Sequence, residues 1–409
     1  MRAVVFRDIG DIRLENVPEP KLQQSTDAIV RLTASAICGT DLHLVRGTVP
    51  GMKNGTILGH EGVGVVEEVG NEVRNFKPGD RVVIPATIAC GNCSYCRAGY
   101  FSQCDQANPN GKAAGTAYYG GPGSSGPFNG LQAEFARIPF ANVGLVKLPE
   151  ELSDDEAILL SDILPTAYFG ALLAEIKPGD TVAIFGCGPV GQLAIACARH
   201  FRAGRIIAVD SVPSRLELAR AQGAEIVNYD LENPVEAIKA LTGGIGVDRA
   251  IDAVGIDANC PHHGPAEADA KTLAREFKRE LSYVAPNARP RGDHWHPGDA
   301  PTQALRWSVG SLAKAGTLSI IGVYPETLMV FPIGKAVNKN LTLQMGNCNH
   351  RKYIPELIEL VDAGMIDPSA VLTNREPFDR ILEAYAAFDA RQPGWVKVKI
   401  EPEAGQIAA

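Results

Sequence analysis

At 409 residues the chain is too long for one ordinary domain, and two domains are expected. Its 45% apolar and 21% charged residues, with a mean hydropathy near zero, are those of a soluble globular protein. The net charge of −8 is spread along the chain without a basic block, which argues against nucleic acid or an anionic membrane as partner.

The chain opens directly on a strand-like run, Met1-Arg2-Ala3-Val4-Val5-Phe6, with no charged leader and apolar core of the signal-peptide kind. Further strands are expected at Ala28–Leu32, Val63–Val69 and Arg81–Ile84, the last entered through the turn Lys77-Pro78-Gly79-Asp80. These short strands and Gly/Pro turns predict an all-β, barrel-like first module over roughly 150 residues. From about Ser161 the texture changes. A helix (Thr166–Leu173) precedes the strand Val182–Phe185, a helix Val190–Phe201, the strand Arg205–Val209, a helix Ser214–Gln222 and the strand Val247–Ala253. Such alternation means βαβ units and a parallel sheet. The uncharged run Thr181–Ala198 is the one membrane-like stretch, but Gly186, Gly188, Pro189 and Gly191 break it into strand, loop and helix. No membrane partner is expected, and the protein is placed in the cytoplasm.

Between that alternation and a strand at Thr317–Val323 lies Asp257–Pro301, with six prolines and four histidines (His262, His263, His294, His296). It reads as a long loop, functional or disordered, its histidines lacking the spacing of a zinc site. From about Asn347 the character is mixed, and Trp395–Ile400 is expected to be a strand that folds back onto the first module.

Gly186-Cys187-Gly188-Pro189-Val190-Gly191 is a G-x-G-x-x-G after a predicted strand and before a predicted helix, with Asp210 ending the next strand. In that context the pattern carries a mechanism. The glycines allow a tight turn, close approach of a pyrophosphate and close helix packing, while the helix N-terminus offers N–H groups to the phosphates. Asp210 would accept from the adenosine ribose hydroxyls and disfavour a 2′-phosphate, so NAD is expected over NADP.

The nine cysteines of a cytoplasmic chain point to metal or catalysis rather than disulfides. Cys90, Cys93, Cys96 and Cys104 cluster, and four thiolates close a tetrahedral shell around a structural zinc. An iron–sulfur cluster fits less well, because the last spacer is seven residues and Asp105, not proline, follows Cys104. Cys38 (in Cys38-Gly39-Thr40-Asp41-Leu42-His43) and His60 (in Gly59-His60-Glu61) supply two ligands for a catalytic zinc; a third must come from elsewhere.

Taken in order, these motifs resemble the zinc-containing medium-chain dehydrogenase/reductase (alcohol dehydrogenase) family over nearly the whole chain. The resemblance implies an α/β protein: a GroES-like, mostly-β catalytic domain over 1–162, a Rossmann doubly wound parallel-sheet domain over 163–345 with an insertion at about 257–301, and a return to the catalytic domain over 346–409. It implies that Asp162, in Ser161-Asp162-Ile163-Leu164-Pro165-Thr166, is the third catalytic-zinc ligand. An aspartate there looks like the glutathione-independent formaldehyde dehydrogenase and dismutase branch. Read alone, Asp162 also suits a helix N-cap for the stretch beginning near Pro165.

In the implied mechanism the zinc lowers the pKa of an alcohol, whose hydride passes to NAD. Thr40 relays the proton through the cofactor ribose to His43 near solvent, and Asp41 hydrogen-bonds the second nitrogen of His60. Glu61 is either a group behind the ligands or an alternative ligand, and Arg215 is placed beside the ribose. The Gly115–Gly130 loop, with Tyr118, Tyr119 and Phe128, is read as either a substrate entrance or a flexible surface loop, and the faces of Tyr168 and Phe169 stay unassigned. Three functions remain open: an alcohol or aldehyde dehydrogenase with exchangeable NAD, a dismutase whose insertion retains NAD, and a non-catalytic NAD-binding protein. A small-molecule alcohol or aldehyde is the expected partner, and a homodimer or homotetramer the expected assembly.

Overall fold

A computed structural model describes residues 1–113 and 115–402. The chain divides into two compact units. The first holds Met1–Pro165, Arg289–Trp295 and Asn347–Ala409; the second holds Thr166–Ala288 and His296–Gly346.

The first unit is built on a sheet ordered Leu372–Pro377, Lys397–Glu401, Ala28–Ile37, Gly62–Val69, Arg81–Ile84 and Val146–Lys147, with Phe135–Ile138 paired to Ala28–Ile37. The ten-residue strand Ala28–Ile37 is buried along almost its whole length, as its run of alanine and branched residues requires. The C-terminal strand Lys397–Glu401 pairs antiparallel with it, Val398 opposite Ile37 and Ile400 opposite Ser35. A separate hairpin, Arg2–Asp8 with Asp11–Asn16, packs with the helix Ile381–Asp389 in a core that includes Phe6, Leu44, Tyr385 and Phe388.

The second unit is a six-stranded parallel sheet ordered Glu225–Asn228, Arg205–Asp210, Thr181–Phe185, Val247–Asp252, Leu312–Ile320 and Thr342–Met345. In order of appearance this is the 3-2-1-4-5-6 arrangement of a doubly wound dinucleotide fold. Near-continuous apolar strands such as Thr181–Phe185 fit a sheet covered on both faces.

The segment Asp257–Pro301 is not a loop. Ala266–Val284 forms a nineteen-residue helix burying Ala266, Ala270, Phe277, Glu280 and Val284. The prolines flank that stretch rather than interrupt it, and its Ala, Glu, Lys, Leu and Arg content favours helix. Nor does the whole segment belong to the nucleotide module, because Arg289–Trp295 packs in the first unit. There Trp295 N–H donates to Asp389 Oδ2 at 2.8 Å, and the Trp295 ring meets Tyr385 edge-on at 6.5 Å.

No single helix among the described residues is long and apolar enough to cross a membrane. The bent pair Asp154–Ser161 and Ile163–Leu173 passes by length and composition alone, and its apolar side chains are mostly buried.

A candidate metal centre and a nucleotide turn

Three local devices bring the candidate ligands together in the first unit. Cys38 ends its strand and starts the helix Gly39–Arg46. Asp41, three residues into the turn, reaches back to accept the Cys38 N–H at 2.9 Å, as an acidic residue at that position can. His60 follows Gly59, which sits at φ +91°, and a Cβ there would lie 2.5 Å from Gln132. Only glycine tolerates both constraints.

Asp162 occupies the break between the helices Asp154–Ser161 and Ile163–Leu173, with φ −142° and ψ −65°. It is thus the C-terminal cap of the first helix and directly precedes the second. The preceding Ser161 fixes its place: its hydroxyl accepts from Gly62 N–H at 3.0 Å and donates to the Ile84 carbonyl at 2.6 Å. Asp162 is thereby pinned beside the strand that begins just after His60.

The result is a buried cluster. One donor atom from each of Cys38, His60, Glu61 and Asp162 lies within 4.8 Å of all the others. Asp162 Oδ2 is 3.3 Å from His60 Nε2 and 3.6 Å from Cys38 Sγ. On the far side of the imidazole, His60 Nδ1 is 3.4 Å from Asp41 Oδ1. Burial raises the Cys38 thiol, and the nearby Asp162 charge adds to that. At Asp162 burial is outweighed by His350 and His60, which hold the carboxyl well below its usual range. At His60 burial is outweighed by the Asp41 charge and by hydrogen bonds, so the imidazole holds its proton well above the ordinary range. Two acids thus stabilise positive charge in a buried site.

Thr40 lies on the same helix, half-buried, with its hydroxyl 4.0 Å from Cys38 Sγ. His43 departs from expectation. It is 4% exposed rather than near solvent, with Nδ1 3.0 Å from the Thr48 hydroxyl. The cause is the chain reversal after the helix: Gly47 adopts φ +77°, and Thr48 turns back so that its N–H reaches the His43 carbonyl. Glu61 is completely buried and paired with Lys397.

The four cysteines Cys90, Cys93, Cys96 and Cys104 form a second group, also within 4.8 Å. Backbone N–H groups of Asn92 and Cys93 point at Cys90 Sγ, that of Cys96 at Cys93 Sγ, and those of Cys90 and Ala107 at Cys104 Sγ. Burial raises Cys90 and Cys96, whereas at Cys93 the N–H groups of Cys96 and Asp105 overcome burial and bring the thiol to about 7. All nine cysteines are free of disulfides.

In the second unit, the turn after Thr181–Phe185 leads into the helix Pro189–His200. A Cβ on Gly191 would meet the Gly186 carbonyl at 1.8 Å, so this close approach demands glycine. Gly188 N-caps the helix, with Pro189 and Val190 as its first residues. Asp210 Oδ2 accepts the Cys187 N–H at 2.7 Å, while Oδ1 accepts those of Ser211 and Val212 at 2.7 and 2.9 Å. The Arg215 guanidinium flanks the turn, 3.9 Å from where a Gly188 Cβ would be.

Sequence reasoning missed several residues around the first cluster. His350, Thr87, Lys397 and Gln132 touch it or its first neighbours, and Thr48 holds His43. In the Gly115–Gly130 loop, Tyr118 stands edge-on to His60 at 6.5 Å, Tyr119 is core, and Phe128 packs on that core. Tyr168 instead joins His200 and Phe201 in the second unit.

Comparison with known proteins agrees with this geometry. Residues 24–150 match the alcohol dehydrogenase GroES-like domain, and residues 189–261 match the zinc-binding dehydrogenase domain. The chain is 37% identical to an uncharacterized zinc-type alcohol dehydrogenase-like protein of Bacillus subtilis, covering 98% of this chain and 100% of that one. It is 38% identical to the glutathione-independent formaldehyde dehydrogenase of Pseudomonas aeruginosa, over 78% of this chain and 80% of that one. Among solved structures, the alcohol dehydrogenase of Thermus sp. ATN1 superposes with a TM-score of 0.78 at 34% identity, covering 98% and 99% of the two chains. With its GroES-like sheet, its doubly wound second unit and these relatives, the chain belongs to the zinc-containing medium-chain dehydrogenase/reductase (alcohol dehydrogenase) family.

Proposed function

We propose that the protein transfers a hydride between a small alcohol or aldehyde and NAD, with one catalytic and one structural zinc. The observation that carries this reading is the convergence of Cys38, His60 and Asp162 from three distant parts of the chain. One thiolate, one imidazole and one carboxylate make a three-ligand set with room for a fourth partner. The donor chemistry fits a cation in a second way: Glu61 Oε2 is buried without a hydrogen-bond partner, and the cluster holds two carboxylates, those of Glu61 and Asp162. Cys90, Cys93, Cys96 and Cys104 fit the closed shell of a structural zinc.

Bound between Cys38, His60 and Asp162, zinc would polarise the substrate oxygen as a Lewis acid. Asp41 orients His60 by facing its second nitrogen. The Thr40 hydroxyl would take the proton of the substrate hydroxyl. His43, held by Thr48, is proposed as the next acceptor, since an imidazole can take up and release a proton. Glu61, gripped by Lys397, remains a candidate alternative ligand.

Gly186, Gly188, Pro189, Val190 and Gly191 would cradle the NAD pyrophosphate, with Arg215 beside the turn. NAD is proposed over NADP because Asp210 offers a carboxylate where a 2′-phosphate would lie. The nine free cysteines support a reducing, cytoplasmic setting. Exposed Met329, Ile333, Val337 and Met345, the last on the edge strand Thr342–Met345, support a homodimer or homotetramer.

Formaldehyde is the first substrate to try, given the Pseudomonas aeruginosa relative. NMR of the zinc-replete protein with formaldehyde, with and without added NAD, tests the reading. Formate and NADH appearing only with added NAD support a dehydrogenase with exchangeable cofactor. Equal methanol and formate without added NAD support a dismutase that retains it. No turnover with formaldehyde or with a panel of alcohols and NAD would overturn catalysis and leave a non-catalytic NAD-binding protein.

A further inference from the structure

The two oxygens of Asp162 face different partners. Oδ2 is turned toward Cys38 and His60, as described above. Oδ1 lies 2.7 Å from Nε2 of His350. A carboxylate oxygen accepts, so Nε2 carries the proton and donates it to Oδ1, with Nδ1 as the second polar atom of the ring. The Thr87 hydroxyl sits 3.1 Å from that Nδ1 and completes the chain. Asp162, His350 and Thr87 are 8%, 4% and 7% exposed, so bulk water does not compete for these bonds.

Both supports are themselves anchored. Thr87 forms a backbone bridge with Tyr118. His350 opens the helix His350–Asp362, and the side chain of Asn349 just before it accepts from Ser102 N–H at 2.9 Å and from the Ser102 hydroxyl at 3.0 Å. Ser102 lies between Cys96 and Cys104, so the four-cysteine lobe braces the start of this helix.

We propose that His350, oriented by Thr87, is a positioning residue that occupies Asp162 Oδ1 and restricts the aspartate to binding zinc through Oδ2 alone. A carboxylate free to chelate with both oxygens would fill a further coordination position. One tied on one side contributes a single atom and keeps a position open for substrate. The inference rests on the zinc reading given above.

The test measures zinc per chain, its competition with a chelator, and the visible spectrum of the cobalt(II)-exchanged protein. It is applied to the wild type, His350→Ala, His350→Gln and Thr87→Val. Two zincs per wild-type chain are required; one alone would overturn the catalytic-site reading and this inference together. Given two, His350→Ala is expected to weaken binding of one zinc about ten- to a hundredfold and to change the cobalt spectrum through a changed coordination number. His350→Gln keeps an N–H donor and should restore most of both. Wild-type affinity and spectrum in His350→Ala would overturn the inference while leaving the zinc reading intact. Thr87→Val leaves the imidazole in place and should shift the spectrum in the same direction as His350→Ala, by less. If His350→Ala does not fold, an unshifted spectrum in Thr87→Val overturns the inference.

Discussion

Lys397 Nζ lies 2.5 Å from Glu61 Oε1, and neither side chain is exposed at all. The same ammonium also donates to the Ile37 carbonyl at 3.1 Å. Against burial, which would lower it, the Glu61 charge keeps Lys397 above the usual lysine range. Removing one member of a buried pair strands the other, at a cost of about 3–5 kcal/mol. Lys397→Met is therefore expected to lower the thermal midpoint sharply, and the double variant Lys397→Met/Glu61→Gln to recover much of the loss. Thermal unfolding of the three proteins checks this. A single variant as stable as the wild type would refute it.

Replacing Asp162 separates the two metal groups. Asp162→Ala should drop bound zinc from two per chain to one and reduce turnover by about a hundredfold or more. Asp162→Cys keeps the ligand count but softens the site, so zinc should be retained while the cobalt(II) form gains sulfur charge-transfer absorption. Metal analysis and visible spectra decide the matter. Full zinc content and unchanged rates in both variants would be hard to reconcile with a ligand role.

Asp210 already accepts three backbone N–H groups, of the roughly four acceptor positions a carboxylate offers. Its charge, more than its remaining hydrogen-bonding capacity, is thus expected to set cofactor choice. Asp210→Ser should reduce the preference for NAD over NADP by about tenfold, or about 1.4 kcal/mol. Steady-state kcat/KM with each cofactor measures it, and an unchanged ratio would count against the assignment.

The segment Arg289–Trp295 is fastened through Asp389, which is buried with Arg46 at 2.6 Å and takes the Trp295 N–H. Asp389→Ala leaves the Arg46 guanidinium buried without this acid, so a loss of about 3–5 kcal/mol is expected. It should also release the Trp295 amide to hydrogen exchange. Protection at Trp295 equal to that of the wild type would contradict this fastening.

Much of the fold was legible because it rests on period and punctuation. The strands at Ala28, Gly62 and Arg81 and the alternation from Thr181 to Ala221 follow apolar runs bounded by Gly and Pro, whereas the short strand Glu225–Asn228 and the helix Pro234–Leu241 before the strand Val247–Asp252 were not expected. The helix Ala266–Val284 was not expected because prolines and histidines bracket it on both sides and give the segment a loop-like composition, although its nineteen residues contain neither Gly nor Pro. Within the site, Cys38, His60 and the four cysteines are visible because the metal-binding role proposed for them goes with characteristic residue types and spacings. Asp162 needed the family pattern, since an aspartate between apolar runs has several other uses. His350 lies 188 residues from Asp162 in sequence and has no local partner to announce it. Lys397 alternates with valine in Val396-Lys397-Val398-Lys399, which reads as an exposed face; only the fold shows the side chain turned inward to Glu61. His43 was misplaced because the turn at Gly47 and Thr48 folds back over it, a local cap that was not read from the sequence.

The most direct test of the central claim is zinc-dependent NAD reduction. Protein containing two zincs per chain is mixed with NAD and formaldehyde or a primary alcohol, and NADH absorbance is followed while a chelator removes the more labile zinc. The account predicts NADH formation that falls in proportion to the loss of that one zinc and returns when it is restored. NADH formation that persists in protein lacking the labile zinc would contradict it.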